Sequence, residues 1–265
     1  MLKYRIIEGK NLKKDNMIKN KTAFTLAEVL ITLGIIGVVA ALIIPFVTTQ
    51  YQKKVMASAL MQSYNQINNA IRLVSYSDYN GHDMSYWNDC GSTIYSCFYK
   101  VFNKMNGAKL YPEVSDVSQV MCYEGRPYKE YKYVNTINGK DFSTASRSAR
   151  MPNGACVLYH ASQWAGDARG TLYIDVNGPY KGPNEYGKDL FKFLYIIPNS
   201  FYGIIGNGFQ IYPAILAHWD GTITNRTASE ITRNYCYKRG NSYNFYGCAA
   251  KIMMDGWQIK DDYPW

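Results

Sequence analysis

An uninterrupted apolar run near the N-terminus limits what this chain can fold into more than any other feature. Residues 24–47 read FTLAEVLITLGIIGVVAALIIPFV, and no charged residue occurs from Val29 to Gln52. About twenty apolar residues are enough for a helix to cross the hydrocarbon core of a bilayer. A secretory signal peptide has a shorter apolar core that ends in small residues. The run therefore predicts a retained membrane helix.

Much of the positive charge of the chain lies in front of this run. The 265 residues carry 29 Lys and Arg against 20 Asp and Glu, a net charge of +9, of which residues 1–23 contribute +5. The remaining chain is only weakly basic, so its composition does not predict nucleic-acid binding. Basic residues beside a membrane helix stay in the cytoplasm. We therefore expect residues 1–23 to be cytoplasmic and the chain beyond about residue 50 to be exported.

Glu28 is an acidic residue inside the apolar run. A carboxylate within a membrane is costly unless it is paired, and such residues usually have a function. Helix geometry alone leaves two interpretations open. In the first, Glu28 lies at the level of the lipid headgroups and needs no partner. In the second, it has a functional partner inside the membrane.

The stretch KTAFTLAEVLITLGIIGVVAALIIP, residues 21–45, resembles the processing and assembly segment of type IV pilins and type II secretion pseudopilins. In that family a membrane-embedded prepilin peptidase removes a basic leader, and the new N-terminal amine is usually methylated. The resemblance implies cleavage between Ala23 and Phe24 and methylation of Phe24. It places Glu28 at the characteristic glutamate of the family and Pro45 at its helix-kinking proline. Ala23 stands where the family usually has Gly.

The resemblance also implies a partner for Glu28. In filaments of this family, the glutamate pairs with the N-terminal amine of a neighbouring subunit, and a low dielectric makes an unpaired carboxylate expensive. The implied partners are homologous pilin or pseudopilin subunits, the prepilin peptidase, an inner-membrane assembly platform and membrane lipid. The chain would be a structural subunit of a type IV pilus or a type II secretion pseudopilus. It would cross the inner membrane once, with its head in the periplasm or at the cell surface.

Beyond Pro45, apolar residues recur at steps of three and four through Val74, which is the pattern of an amphipathic helix. The predicted organisation is a cleaved leader over 1–23, a transmembrane and assembly helix over 24–47, its amphipathic continuation over 48–76, and an exported head over 77–265. The head is predicted to contain a short helix or helical turn over 92–106, extended loops with two short strands over 107–153, and strands over 155–160, 171–176, 190–197 and 208–216. A long helix packed on a mostly antiparallel sheet is an α+β fold, and the resemblance implies the same pilin-like class.

All the cysteines lie beyond the apolar run. An even number of cysteines on the oxidising side of a membrane predicts disulfides. A zinc site is disfavoured, because no C-x-x-C pair occurs and the histidines are isolated. The resemblance implies a Cys236–Cys248 bridge, since many pilins close a C-terminal loop in this way. A local Cys90–Cys97 pair and the remaining Cys122–Cys156 pair complete the prediction, although spacing does not choose among the pairings.

The segment 175–189, DVNGPYKGPNEYGKD, contains hard oxygen ligands of the kind that calcium prefers. They are Asp175, Asn177, Asn184, Glu185 and Asp189. Their spacing departs from the EF-hand pattern. Two interpretations stay open: a calcium-binding loop, as in the heads of some pseudopilins, or a metal-free turn between two strands. The predicted function itself requires no cofactor.

The sequence contains no nucleophile elbow, zinc-protease motif, phosphate-binding loop or dinucleotide fingerprint, so we do not expect an enzyme. The 25 Tyr and 5 Trp leave one alternative open, because exposed aromatic residues are enriched at binding surfaces. The chain would then be a membrane-anchored adhesin or polysaccharide-binding protein that does not polymerise. Trp257 and Trp265 in the C-terminal DGWQIKDDYPW mark one place to look.

Overall fold

The structure of the chain, a computed structural model, describes residues 24–79, 95–111, 121–123, 126–127, 147–161, 169–178, 181–183, 185–196, 210–216, 224–239 and 242–265. The predicted leader, with Ala23, lies outside the described residues, and so do Cys90 and Asn184. The chain divides into two compact units, Met1–Thr48 and Thr49–Trp265.

Helix α1 (Leu26–Tyr79) contains the apolar run and ends three residues beyond the predicted residue 76. Its 54 residues correspond to a length of about 80 Å. Pro45 lies inside the helix and does not end it. In the N-terminal unit the apolar side chains of α1 are exposed, as for Leu26 at 78%. Among the described residues, α1 is the one helix long and apolar enough to cross a membrane.

The C-terminal unit is built on short strands and short helices. Six strands form its main antiparallel sheet: β1 (Lys109–Leu110), β4 (Arg147–Arg150), β5 (Cys156–Ala161), β6 (Arg169–Asp175), β7 (Leu190–Ile196) and β8 (Gln210–Pro213), in the order β1-β4-β5-β6-β7-β8. Two further hairpins pair β2 (Met121–Tyr123) with β3 (Arg126–Pro127), and β9 (Tyr237–Arg239) with β10 (Ser242–Asn244). Helices α2 (Tyr95–Lys104), α3 (Ala228–Asn234) and α4 (Cys248–Met254) complete the described elements of this unit.

One face of the main sheet packs against α1 and α2. The ring of Tyr64 on α1 stacks on Phe193 of β7 at 5.9 Å between centroids. Phe98 of α2 contacts Tyr195 of β7 at 4.5 Å. The positions of α1 that are fully buried in this core include Leu60, Ile67, Ile71 and Val74. Their spacing of three, four and seven residues keeps them on one side of a helix, so the apolar stripe predicted beyond Pro45 is the buried face.

The α+β class is confirmed, since a long N-terminal helix accompanies a six-stranded antiparallel sheet. The strands predicted over 155–160, 171–176 and 190–197 correspond to β5, β6 and β7. The strand predicted over 208–216 is shorter and ends at Pro213, because proline cannot donate to a ladder. The helix predicted over 92–106 is present as α2.

Two parts of the head were wrongly predicted or missed. The described residues within 107–153 contain four strands, β1 to β4, where two were predicted for that range. Each has only two to four residues, too few for a visible alternation of apolar and polar positions. Helices α3 and α4 and the β9–β10 hairpin were not predicted at all. Seven residues per helix give about two turns, which is too short for a periodicity to emerge.

Replacing Leu60 tests the contribution of the buried stripe. The side chain of Leu60 is 0% exposed whereas that of Leu73, on the same helix, is 55% exposed. We expect Leu60→Ala to lower the free energy of unfolding of the head by about 2–5 kcal/mol, because it leaves a cavity in the core. Leu73→Ala is the matched control and should change it by less than about 0.5 kcal/mol. Chemical denaturation of the full chain in detergent micelles measures both, and equal effects would contradict the packing described.

Candidate functional site: the N-terminus of helix α1 and the C-terminal strap

Helix α1 begins with a capping box formed by Thr25 and Glu28. Thr25 precedes the first helical residue, Leu26, so Glu28 is the third residue of the helix. The backbone N–H of Glu28 donates to Oγ1 of Thr25 at 3.2 Å. In return, the backbone N–H of Thr25 donates to Oε2 of Glu28 at 2.8 Å. This reciprocal pair satisfies two backbone donors that a helix start leaves open.

The carboxylate of Glu28 therefore has a partner within its own chain. The hydroxyl of Thr25 also donates to Oε2 of Glu28, at 2.8 Å. The partial positive charge at a helix N-terminus adds to the stabilisation of a carboxylate there. Neither interpretation left open by the sequence included this arrangement. The spacing T-x-x-E ahead of an apolar run is a capping signature, so the signal was present in the sequence and was missed.

The other predicted processing and assembly residues occupy separate places. Phe24 directly precedes the capping box, and its side chain is 85% exposed. Pro45 lies 17 residues after Glu28 in the same helix, which is about 25 Å along the axis. The structure thus brings Phe24, Thr25 and Glu28 together at the helix start and leaves Pro45 well away from them.

Two of the three predicted disulfide pairs lie within the described residues. Cys236 is joined to Cys248, with 4.8 Å between their Cα atoms. This bridge links the end of α3 to the first residue of α4. Cys122 is joined to Cys156, with 5.7 Å between their Cα atoms, and ties β2 to the main sheet at β5. Cys90 and the side chain of Cys97 lie outside the described residues.

Three carboxylates of the predicted calcium loop take part in local contacts, whereas Oδ1 of Asn177 is buried and accepts no hydrogen bond from the described residues. Oδ1 of Asp175 accepts from the backbone N–H of Gly178 at 2.9 Å, and Oδ1 of Asp189 accepts from that of Glu185 at 2.7 Å. The Glu185 carboxylate pairs with Lys188 at 2.5 Å. The side-chain amide of Asn177 donates to the carbonyl of Gly182 at 3.0 Å.

A metal would have to compete with these contacts for its ligands. Within the part of the chain that the structure describes, no group of three or more His, Cys, Asp and Glu side chains is arranged to hold a metal ion.

The two tryptophans singled out as a binding surface pack inward. Trp257 is half-buried, and its ring lies 5.3 Å from that of Tyr64 on α1. Trp265 is half-buried against the hydrophobic core.

The last eleven residues, 255–265, form an irregular segment that we call the C-terminal strap. Its anchor is Lys251 of α4, a lysine only 2% exposed. The Lys251 ammonium donates to the carboxylate of Asp255 and, at 3.1 Å, to that of Asp262. Lys260 donates to the second oxygen of Asp255 at 2.9 Å.

The Tyr263 hydroxyl donates to the carbonyl of Gly187 and ties the strap to the loop before β7.

The ion cluster determines the protonation of its members. Burial by itself raises the pKa of the Asp255 carboxyl, but the hydrogen bonds and charges of Lys251 and Lys260 outweigh burial and leave that pKa below its usual value. Burial by itself lowers the pKa of Lys251, but Asp255 and Asp262 outweigh it and raise that pKa. Each charge therefore stabilises its partner in the ionised form.

Acid should loosen the strap. Because the folded-state pKa of Asp255 is below its unfolded value, its stabilisation is present at neutral pH and is lost as the pH falls below about 4. We expect Asp255→Asn to lower the free energy of unfolding by about 1–3 kcal/mol at pH 7 and to lower it by less at pH 3. Denaturant titrations at the two pH values measure this, with the exposed Asp261→Asn as the control. An equal loss at both pH values would contradict the assignment.

Removing the capping hydroxyl should fray the start of α1. Thr25→Val keeps the shape of the side chain but removes both the donor and the acceptor, at a cost of about 0.5–2 kcal/mol to the local helix. Thr32→Val is the matched control, because the Thr32 hydroxyl only donates to the Val29 carbonyl at 2.9 Å. Amide hydrogen exchange of residues 26–30 in micelles should accelerate in the first variant alone. Unchanged protection in Thr25→Val would exclude the capping role.

Two family models match the chain. Residues 18–44 match the prokaryotic N-terminal methylation motif, which is the cleavage and methylation segment of type IV pilins and pseudopilins and confirms the resemblance drawn from residues 21–45. Residues 46–265 match a family of unknown function (DUF6613). No curated protein and no solved structure matches the chain. Since the second match covers most of its length, the chain belongs to this family of unknown function and carries a prepilin-type methylation motif ahead of the family region.

Proposed function

We propose that this protein is a prepilin-like structural subunit that is cleaved by a prepilin peptidase and assembled into a type IV pilus or a type II secretion pseudopilus. The observation that carries the proposal is the methylation motif at residues 18–44, continued by a helix whose apolar side chains are exposed in the N-terminal unit. The motif and the helix together fit a single-pass membrane-anchored protein, and they point to a structural role rather than to an enzyme.

The geometry of the helix start suits cleavage between Ala23 and Phe24. The helix begins at Leu26, so the cut bond lies outside it and the capping box survives the cut. Cleavage creates an ammonium group on Phe24, one residue before the capping residue Thr25. A positive charge at a helix N-terminus is unfavourable because it faces the positive end of the helix dipole. The new amine therefore needs a nearby carboxylate, and Glu28 belongs to the same helix turn.

Assembly can then proceed as an exchange of partners. Before assembly, the Glu28 carboxylate is held by Thr25, so a single subunit in lipid does not carry a bare charge. In a filament, the carboxylate would bind the Phe24 amine of a neighbouring subunit, which is an ion pair in a low dielectric. The exposed apolar side chains of α1 would exchange lipid contacts for contacts with adjacent helices. A subunit added out of register would lose the ion pair, which gives the assembly its specificity.

The charge distribution and the cysteines support the orientation of the proposed subunit. Residues 1–23 carry a net charge of +5, which favours a cytoplasmic leader. The Cys122–Cys156 and Cys236–Cys248 disulfides suit an oxidising compartment on the other side of the membrane. The inner-membrane assembly platform would then receive the subunit from the membrane.

Intact mass tests the processing step. The protein is purified from membranes of cells with and without a prepilin peptidase. We expect a product that begins at Phe24, with or without one methyl group, only where the peptidase is present. A chain that keeps residues 1–23 in both strains would refute the filament pathway and favour the anchored protein that does not polymerise.

Substitutions of Glu28 separate its charge from its capping function. Glu28→Ala removes both, whereas Glu28→Gln keeps an oxygen that can accept from Thr25 but has no charge. We expect both variants to insert into membranes, and both to give few or no filaments in a sheared-filament assay, because the ion pair with the amine is lost. Normal filament yield from Glu28→Ala would refute the proposed pairing. Normal yield from Glu28→Gln alone would show that the cap, not the charge, is required.

A further inference from the structure

Lys192 lies on the sheet face that points away from α1. Along β7, successive side chains alternate between the two faces, and Phe193 is the residue that stacks on Tyr64 of α1. Lys192 therefore faces the opposite side. Its register partner on β6 is Tyr173, which shares that face.

Two tyrosine rings lie against the Lys192 side chain, and a third packs against both of them. Its Nζ lies 4.2 Å from the centroid of the Tyr246 ring and 5.9 Å from that of Tyr173. The Tyr186 ring joins the other two edge-on, at 6.1 Å from Tyr173 and 6.0 Å from Tyr246. We call these four residues the Lys192–tyrosine cluster. Tyr173 and Tyr186 are buried, whereas Lys192 and Tyr246 are half-buried and reach the surface.

The ammonium of Lys192 contacts the faces of two tyrosine rings. Among the described residues, no acidic side chain lies within ion-pair distance of it. Burial lowers the pKa of this lysine, as expected for a cation removed from water. Lys251, a buried lysine of the same head, is paired with two carboxylates. Such pairing is usual for a buried lysine. Cation–π contacts compensate only part of the lost hydration.

Within the described part of the chain, Lys192 is thus a half-buried cation that reaches the surface without an anion beside it, and such an ammonium can form a charge-assisted hydrogen bond with an anionic ligand. We propose that the Lys192–tyrosine cluster is a subsite for a carboxylate-bearing sugar, such as a hexuronic acid unit of a polysaccharide. The ammonium would form a charge-assisted hydrogen bond with the sugar carboxylate. The phenol of Tyr246 would offer an apolar ring edge and a hydroxyl to the sugar ring. An acidic peptide could use the ammonium and the phenol hydroxyl as well, but its carboxylate side chain carries no ring of C–H groups to lie against the Tyr246 ring, so the combination of cation and aromatic ring favours the sugar.

The site differs from the one that the aromatic composition suggested. Trp257 and Trp265 were the candidates for sugar binding, and both pack inward. The Lys192–tyrosine cluster lies instead on the second face of the sheet. Binding there would not depend on whether the chain polymerises, so the inference is independent of the proposed assembly function.

Calorimetric titration of the full chain in detergent micelles tests the inference. The probes are trigalacturonic acid, neutral maltotriose, triglutamate and acetate at equal ionic strength. The variants are Lys192→Met, which keeps the length of the side chain without its charge, and Tyr246→Leu. Lys181→Met is the matched control, because Lys181 is an exposed lysine of the loop before β7 and its loss changes the net charge equally. Thermal unfolding verifies that each variant is folded.

We expect trigalacturonic acid to bind the wild-type chain and maltotriose not to bind. Lys192→Met should weaken binding by at least about tenfold, Tyr246→Leu should weaken it to a lesser extent, and Lys181→Met should leave it within about twofold. No binding to the wild type, or equal binding by Lys192→Met and Lys181→Met, would overturn the inference. Triglutamate or acetate binding as tightly as trigalacturonic acid would refute the sugar and leave a general carboxylate site.

If Lys192→Met does not fold, the wild-type chain alone decides the question. Its lysines are reductively dimethylated with ¹³C-formaldehyde, which preserves their charge, and the methyl resonance of Lys192 is assigned with Lys192→Arg. Trigalacturonic acid should shift this resonance selectively. Uniform shifts of all lysine methyl groups would contradict a defined site.

Discussion

The head depends on the burial of one stripe of helix α1 against the six-stranded sheet. Leu60, Ile67 and Val74 repeat every seven residues and are fully buried, so the helix presents the same side to the sheet over about four turns. Short strands and two-turn helices cannot bury much apolar surface by themselves. The long helix supplies a continuous apolar surface on which they assemble, with α2 extending the same core through Phe98 and Phe102.

Five carboxylates among the described residues are each provided with hydrogen-bond donors. Glu28 closes a capping box at the start of α1, and Glu230 does the same for α3 with Thr227. Asp175 and Asp189 accept from backbone N–H groups at the loop between β6 and β7. Asp255 holds two lysines at the C-terminal strap. Lys192 departs from this pairing of opposite charges, because it has no carboxylate partner within the described part of the chain.

The sequence predicted features that extend over many residues and failed on features that are local. The apolar run and the seven-residue spacing of α1 are long enough for periodicity to reveal them. Strands β5, β6 and β7 have six or seven residues each and were found for the same reason. Two short strands were predicted where β1 to β4 lie, and helices α3 and α4 were missed, because two to seven residues carry little pattern. Their positions depend on tertiary contacts and, for α4, on the bridge to Cys236.

The candidate site was predictable only in part. Glu28 stood out as a charge in an apolar run, but its partner Thr25 required attention to the spacing T-x-x-E. The surroundings of Lys192 could not be predicted from the sequence. They depend on the register of β6 with β7 and on Tyr246, which lies 54 residues further along the chain. A contact between residues so far apart in the sequence can be predicted only when the pairing of the strands is known.

The capping box would also determine how freely the end of the chain could move after the proposed cleavage. Because Thr25 is held by two hydrogen bonds to Glu28, Phe24, which would carry the new amine, would be the one residue ahead of the capping box. Consecutive Cα atoms are about 3.8 Å apart, so the amine would stay within a short distance of the start of the helix. In the processed subunit, the terminal charge would therefore have a nearly fixed position at the start of helix α1 and would not lie on a flexible tail. Little conformational entropy would remain to be lost when that charge finds a partner.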